Sequence, residues 1–580
     1  MAAADDGLAT AAGRTQADYD AIKDRFAEAR DLRLKYRPEG TSQYTSDLTG
    51  DLARYEIDPY ADDGEARAPI SDHVEVLFIG GGFSALLTAA RLRERGVQSI
   101  RIVERGADVG GTWYWNRYPG AACDVPSYDY LPLLDEMGHV PPRLYASGPE
   151  IFAHCQAIAK RYDLYDLAVF RTTVTSTTWD EAAKVWRLQT DRGDAMSARF
   201  VICANGTLSK PKLSKIKGME TFAGHSFHTS RWDYDYTGSD LTKLADKRVG
   251  IIGTGASAVQ AIPRLARHAK SLHVFQRTPS GIDIRGDRPT DPEWQARLQP
   301  GWQEARRMRN LQRRELPPEK KAELAAISRE EKIRRQENEN IEHMMRIHAR
   351  IDEIVEDAAT AQALKPWYMF MCKRPCFDDE YLPAYNRPNV TLVDTRGEGI
   401  TEIAPEGPVF DGVTYPLELL IYATGFEVQK TGIYNQIRGR SGAEINETYA
   451  DGIRTLFGVH THGYPNLFIM GGYQASFQFN LTFMLQCQGD HIAECIRHAR
   501  ENNYAEIDVS PQTEEWWVQE VIAHRGKTSR NTDCTPGYYN FEGEFNRRQD
   551  GNYNGGFAAY YEHMQSIRGK LEDHFLFSVG

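Results

Sequence analysis

Two short apolar strands, each closed by a glycine-rich turn, constrain this chain more than any other feature. The first is Val74-Glu-Val-Leu-Phe-Ile79, followed by Gly80-Gly-Gly-Phe-Ser-Ala85. The second is Arg248-Val-Gly-Ile-Ile252, followed by Gly253-Thr-Gly-Ala-Ser-Ala258. In each, glycines permit a tight turn and let the backbone approach a pyrophosphate, while the next helix aims its positive end at that charge. Such units predict an α/β chain with two Rossmann-like dinucleotide-binding domains. Gly80, Gly82 and Ala85 serve the first nucleotide. Gly253, Thr254, Gly255, Ala256, Ser257 and Ala258 serve the second. The segment between the two units must control how the nucleotides meet.

The residue 24 positions beyond the first glycine separates the two sites. After Gly80 it is Glu104, at the end of Ser99-Ile-Arg-Ile-Val103, where an acid accepts hydrogen bonds from ribose hydroxyls. After Gly253 it is Arg277, in Leu272-His-Val-Phe-Gln-Arg-Thr-Pro279. An acid there would repel a 2′-phosphate, whereas a guanidinium binds one through paired hydrogen bonds. Gln276 flanks Arg277, and Thr278 adds a hydroxyl. Charge therefore argues for NADPH over NADH at the second site; the alternative is a surface arginine at a strand end.

The bulk properties exclude several classes. The chain has 580 residues, 41% apolar and 26% charged, which is enough for several domains with ample core. A net charge of −12 argues against nucleic acid as a partner. No apolar run is long enough to span a membrane, and Met-Ala-Ala-Ala-Asp-Asp at the start is not a signal region. The eight cysteines are scattered without Cys-x-x-Cys or zinc spacing, so all are expected to be reduced thiols of a cytoplasmic protein, with no metal site.

In chain order, 1–70 is a polar extension. A helix is expected from Thr15 to Tyr36, with Tyr19, Ile22, Phe26, Ala29 and Leu32 near one face, stopped at Pro38-Glu-Gly40. It reads as a helix and arm on the surface, with dimer contact or substrate entrance as the other roles. The first nucleotide domain is expected over 71–215. Within it, Val109-Gly-Gly-Thr-Trp-Tyr-Trp-Asn-Arg-Tyr-Pro-Gly-Ala-Ala-Cys-Asp124 is rich in glycine and aromatics. The amides of Gly111 and Thr112 can serve phosphates, and Trp113 and Trp115 can flank flat groups. The second domain is expected over 216–394, with a charged helical insertion at 285–365. The rest, 395–580, returns to the first fold through Leu419-Leu-Ile-Tyr-Ala-Thr-Gly-Phe426 and carries a Phe-rich stretch at 473–490.

Between the two turns lies Phe222-Ala-Gly-His-Ser-Phe-His-Thr-Ser-Arg-Trp-Asp233. Phe222, Gly224, His228, Trp232 and Asp233 closely resemble the fingerprint of Baeyer–Villiger monooxygenases; the alternative is that His228 and Trp232 merely pack a hinge. The 109–124 loop resembles the family segment that wraps FAD and ends with an Asp near the flavin, and Ser127 and Tyr130 continue its spacing. Lys373-Arg374 matches the family pair in which Lys assists the 2′-phosphate and Arg reaches the flavin. The resemblance covers about 70–565 and implies FAD and NADPH as cofactors, and a ketone and O2 as substrates. By that resemblance NADPH would reduce FAD, the reduced flavin would take up dioxygen, and one oxygen atom would enter beside the carbonyl to give an ester or lactone.

The physical demand is a fixed cation where negative charge develops. Arg374 fits as the catalytic group, with Asp124 holding it. The stretch Asp533-Cys-Thr-Pro-Gly-Tyr-Tyr-Asn540 lacks the Trp of the family's C-terminal loop, which leaves Tyr538 or Asn540 as its replacement. This loop and the long N-terminal arm resemble the subgroup that includes cyclopentadecanone monooxygenase, which implies bulky or macrocyclic ketones. The nearest alternative is a flavin N- or S-oxygenase, disfavoured by Asp233 in place of Lys. A flavin disulfide reductase lacks its dithiol, and a non-catalytic redox sensor would have no use for Arg374. Monomer and homodimer both remain open.

Overall fold

The computed structural model describes residues 13–36, 44–62, 67–313, 317–428, 436–476, 480–525, 534–535, 537 and 549–579. Two sheets organise it. In the first, strand Ser71–Ile79 runs parallel to Ile100–Val103 on one side and to Ala195–Cys203 on the other. Alternate side chains enter opposite faces, as a strand requires. Val76 and Phe78 join one core, while Leu77 and Ile79 join another. Burial on both faces explains the unbroken apolar run in the sequence. Val174–Asp180 and Val185–Thr190 extend the sheet as an antiparallel pair, and Leu467–Ile469 returns late in the chain to pair with Val201–Cys203. Helix Phe83–Glu94 packs on helix Leu481–Glu501. A Cβ on Gly489 would stand 2.8 Å from Thr88 Oγ1, so the close crossing needs a glycine there.

The second sheet has five parallel strands in the spatial order Val390–Asp394, Ser271–Gln276, Arg248–Ile252, Leu419–Tyr422, His225–His228. Leu419–Tyr422 lies beyond residue 394, the boundary expected from the sequence, so this sheet extends further along the chain. The reason is its register: Leu419–Tyr422 fills the slot between Arg248–Ile252 and His225–His228. Two crossing segments then lie side by side. Lys212 N–H donates to Gly425 O at 3.0 Å, and Glu427 N–H donates to Lys210 O at 2.9 Å. The insertion forms helices Pro292–Ala296, Trp302–Arg313, Pro318–Ala326, Arg329–Ile354 and Ala358–Leu364. Among the described residues no helix is long and apolar enough to cross a membrane.

The N-terminal helix runs Gln16–Lys35, started by a capping box between Thr15 and Asp18. It docks on Arg329–Ile354 rather than lying free. Tyr19 Oη donates to Glu342 at 2.7 Å, Lys23 pairs with Glu337 at 2.6 Å, and Phe26 is buried beside Trp367. Of its expected apolar face, Leu32 is 44% exposed, so Phe26 carries most of the burial. Pro38-Glu-Gly40, Tyr538 and Asn540 lie outside the described residues, as do 477–479 of the Phe-rich stretch.

The expectation of eight reduced thiols is corrected. Cys372 and Cys534 form a disulfide, with Cα atoms 5.2 Å apart and a sequence separation of 162. Local spacing cannot reveal a pair this distant. Cys123, Cys155, Cys203, Cys376, Cys487 and Cys495 are buried free thiols.

Four buried histidines make the fold acid-sensitive. Burial holds His154 at about 4, His228 and His491 at about 3, and His460 well below the usual range. In the unfolded chain each takes a proton below about pH 6.5. The unfolded state therefore binds more protons than the folded state below that pH, and stability falls as pH drops. At pH 5.5 each group costs on the order of 1 kcal/mol, several kcal/mol for the four together. Asp508, which burial pushes up to about 6, offsets under about 1 kcal/mol of this. Urea unfolding at pH 7.5 and 5.5 should show the difference, and equal stability at both would refute it.

Candidate functional site

The first turn is built around close backbone approach. Gly80 has φ +106°, and a Cβ there would lie 2.6 Å from Ala204 O. Gly82 begins helix Phe83–Glu94 with no side-chain cap, so the first amides of that helix stay available for an anion. Ala85 is fully buried within the helix. Glu104 is buried, and its two oxygens accept from Gly81 N–H and Gly106 N–H, each at 2.6 Å. Burial raises its pKa, and the two amides oppose that rise. These bonds fix the carboxylate beside the turn.

The 109–124 loop folds over this turn. Gly111, at φ +53°, stands so close to Gly82 that a Cβ on it would come within 2.9 Å of the Gly82 Cα. Gly111 also starts the short helix Thr112–Trp115. Trp113 Nε1–H donates to Tyr130 Oη at 2.9 Å, and their rings meet edge to face at 5.8 Å. Burial raises the Tyr130 phenol well above its ordinary range, so it stays neutral. Asn116 Nδ2 donates to Thr112 O at 2.9 Å, which makes it a brace for this helix.

The second turn repeats the geometry. Gly253 has φ +112°, and a Cβ would lie 2.6 Å from Ala423 O. Gly255 begins helix Ala256–His268 without a side-chain cap, and a Cβ on it would meet nothing within 4 Å. Ala258 is buried in that helix, and Ser257 lies one residue before it in the first turn. Thr254 Oγ1 donates to Thr278 O at 2.7 Å, which ties the turn to the segment carrying Arg277. Arg277 donates to Tyr44 Oη at 2.7 Å. Gln276 points inward, its Nε2 donating to Ala363 O at 2.8 Å, so it supports the strand end from beneath. Lys373 lies with its ammonium 6.0 Å from the Tyr368 ring centre.

The two halves meet at the end of the 109–124 loop. Tyr118 Oη donates to Gln260 Oε1 at 2.9 Å, and Gln260 Nε2 donates to Ala122 O at 3.0 Å. A Cβ on Gly120 would lie 2.4 Å from Gln260 O, so the loop is pressed onto the second nucleotide helix. Here Arg374 donates to Asp124 Oδ2 at 3.0 Å. The Arg374 side chain is 44% exposed and that of Asp124 11%, so a half-open cation rests on a nearly closed anion. Arg285 stands on the other side of Asp124, 3.6 Å from Oδ1, and donates to Cys123 O at 2.7 Å.

The fingerprint includes the edge strand His225–His228 of the second sheet. His228 ends the edge strand opposite Tyr422, next to the second crossing segment. Its Nδ1 accepts from Ser230 N–H at 3.2 Å, which places the proton of the neutral ring on Nε2. Trp232 is fully buried, with Nε1–H donating to Thr237 Oγ1 at 3.1 Å. Asp233 Oδ2 bonds His225 Nε2 at 2.9 Å, and Oδ1 accepts from Tyr236 N–H at 2.9 Å. Phe222 is buried against Gly224, where a Cβ would stand 2.5 Å from its ring. Arg231 lies 3.9 Å over Trp115, so the fingerprint reaches the loop of the first domain. Burial and Arg105 together lower the Arg231 pKa to about 9.

Sequence reasoning missed Arg285, Arg231, Tyr118, Gln260 and Tyr44. None stands at a motif spacing; the signal for Tyr118 and Gly120 was the aromatic loop itself, and for Arg231 its place inside the fingerprint.

Residues 77–351 match the pyridine nucleotide-disulphide oxidoreductase family. Pentalenolactone D synthase of Streptomyces exfoliatus is 46% identical, over 90% of this chain and 94% of that protein. A Baeyer–Villiger monooxygenase of Streptomyces coelicolor is 41% identical over 96% of each. Among solved structures, the polycyclic ketone monooxygenase of Thermothelomyces thermophila superposes with a TM-score of 0.88 at 36% identity, covering 97% of this chain and 99% of that one.

Proposed function

The chain belongs to the Baeyer–Villiger monooxygenases, and from that premise we propose how its own residues divide the work. It is a flavoprotein monooxygenase using FAD and NADPH, and solved neighbours hold FAD and NADP. FAD supplies the oxygen chemistry when bound. The first turn suits it: Gly80 and Gly82 let the backbone pack against Ala204 and Gly111, the uncapped start of helix Phe83–Glu94 offers amides to a pyrophosphate, and Glu104 is fixed beside the turn. The second turn suits NADPH, with Gly255 open and Arg277 and Thr278 beside it; Lys373 adds a third contact by resemblance. Division of the two domains falls at the crossing segments near 204–212 and 423–427.

Arg374 is the catalytic cation. The observation that carries this is its pairing with Asp124 where the first loop meets the second nucleotide helix. Asp124 orients the guanidinium, and Arg374, 44% exposed, stabilises the oxyanion that forms on the ketone carbonyl. The substrate is a bulky, polycyclic or steroid-like ketone, converted to an ester or lactone. The polycyclic ketone and steroid monooxygenases among the neighbours support this reading.

The test is product analysis after aerobic incubation with NADPH and a panel of linear, small-ring, macrocyclic and steroid ketones. Ester or lactone from the large ketones is expected. A preference for cyclohexanone would overturn the substrate class, and oxygenation of amines or sulfides alone would favour an N- or S-oxygenase.

A further inference from the structure

The N-terminal extension ends its helix against the second nucleotide site. Arg33, in the last turn of Gln16–Lys35, reaches the segment Trp367-Tyr368, with its guanidinium 5.9 Å from the Tyr368 ring centre. Lys373 approaches the same ring at 6.0 Å. Arg33 and Arg277 flank one short turn. A Cβ on Gly397 would lie 3.4 Å from Arg33 Cγ, and one on Gly399 would lie 3.9 Å from Arg277 Cδ. Beyond the helix, Tyr44–Thr45 pairs with Leu213–Ser214, which sets Tyr44 between two cations. Its hydroxyl accepts from Arg277 at 2.7 Å, and Lys212 lies 4.5 Å from its ring centre.

Arg33 is poorly satisfied where it stands. Its two terminal nitrogens are 3.5 and 3.4 Å from a single acceptor, Trp367 O. Its Nε is buried with no hydrogen-bond partner. Among the described residues no carboxylate lies within ion-pair distance of it. Burial lowers its pKa to about 10, and Arg277 adds to the effect as a like charge. A partly buried guanidinium with an unpartnered Nε, as in Arg33, is costly unless an anion joins it. A phosphate dianion supplies both the charge and the acceptors.

We propose that the N-terminal extension completes the nucleotide site, with Arg33 joining Arg277 on the 2′-phosphate of NADPH and Tyr44 holding Arg277 in position. This rests on Arg277 being a ligand of that phosphate. It gives the extension a specificity role, in place of the dimer contact or substrate entrance open to it from the sequence.

The probes are 2′,5′-ADP and 5′-AMP, titrated by calorimetry into the full-length, FAD-loaded protein. One lost charged contact weakens binding about ten- to hundredfold. Arg33→Gln should weaken 2′,5′-ADP by that factor and leave 5′-AMP unchanged, while Arg33→Lys should recover part of the loss. Tyr44→Phe should give a smaller loss, again confined to 2′,5′-ADP. The salt dependence of 2′,5′-ADP binding should flatten in Arg33→Gln. Arg277→Ala is the benchmark. If it weakens 2′,5′-ADP while Arg33→Gln does not, the extension has no such role. If neither does, the Arg277 assignment itself fails. Equal loss of both probes in Arg33→Gln would mean a structural role and would also overturn the proposal.

Discussion

Replacing Arg374 by alanine should give a protein that folds, binds FAD and is still reduced by NADPH, yet forms ester about a hundred- to a thousandfold more slowly. The folding cost is small because the side chain is 44% exposed and an exposed ion pair contributes little. Arg285 remains beside Asp124 and keeps that carboxylate from standing alone. Hydride transfer needs two stacked rings and places little demand on a cation near the carbonyl. Oxygen insertion builds negative charge there, where a preorganised guanidinium acts most strongly. Loss of one such donor costs about 2.7–4 kcal/mol in comparable oxyanion sites. NADPH consumed without ester should appear as hydrogen peroxide. Stopped-flow absorbance follows flavin reduction, chromatography follows ester, and a peroxidase assay follows the leak. Near-normal ester yield would remove Arg374 from oxygenation, whereas abolished flavin reduction would make it a positioning group for NADPH.

Much of this architecture is legible in the sequence because it is local. The two turns could be located from Gly80 and Gly253, since only glycine tolerates φ +106° and +112° with a carbonyl 2.6 Å away. Glu104 and Arg277 follow at a fixed distance because one strand and one helix intervene each time. The Asp124–Arg374 pair was legible only through resemblance, since 250 residues separate the partners. What stayed hidden is long-range and carries no spacing rule. Nothing in Gln16–Lys35 announces that Arg33 approaches Arg277. Nothing at residue 394 reveals that Leu419–Tyr422 will enter the second sheet. Gln276 shows a further limit: strand alternation turns it inward, to Ala363, although it neighbours Arg277 in sequence.

Reducing the Cys372–Cys534 bond should destabilise the protein and loosen its nicotinamide site together. The bond closes a loop of 162 residues, for which chain entropy alone gives about 5 kcal/mol as an upper figure. The other cysteines are free thiols, so a reductant acts at this bond alone. Both bonded cysteines are buried in the core that also holds Tyr368 and the helix Ala256–His268. Cys372 immediately precedes Lys373 and Arg374, and it follows Met371, whose φ of +70° is unfavourable for a side-chain-bearing residue. The disulfide therefore holds a strained backbone at the place from which both cations project. Without it, that segment can relax and carry Lys373 and Arg374 out of position. The Michaelis constant for NADPH should rise, and more NADPH should be spent on hydrogen peroxide per ester formed. Cys372→Ser with Cys534→Ser should reproduce the effect of reductant, and adding reductant to that double variant should change nothing further. Alkylation in denaturant followed by mass spectrometry fixes the starting state: six cysteines should be modified without reductant and all eight with it. Modification of all eight without reductant, together with a urea midpoint indifferent to reductant, would falsify the bond and its role.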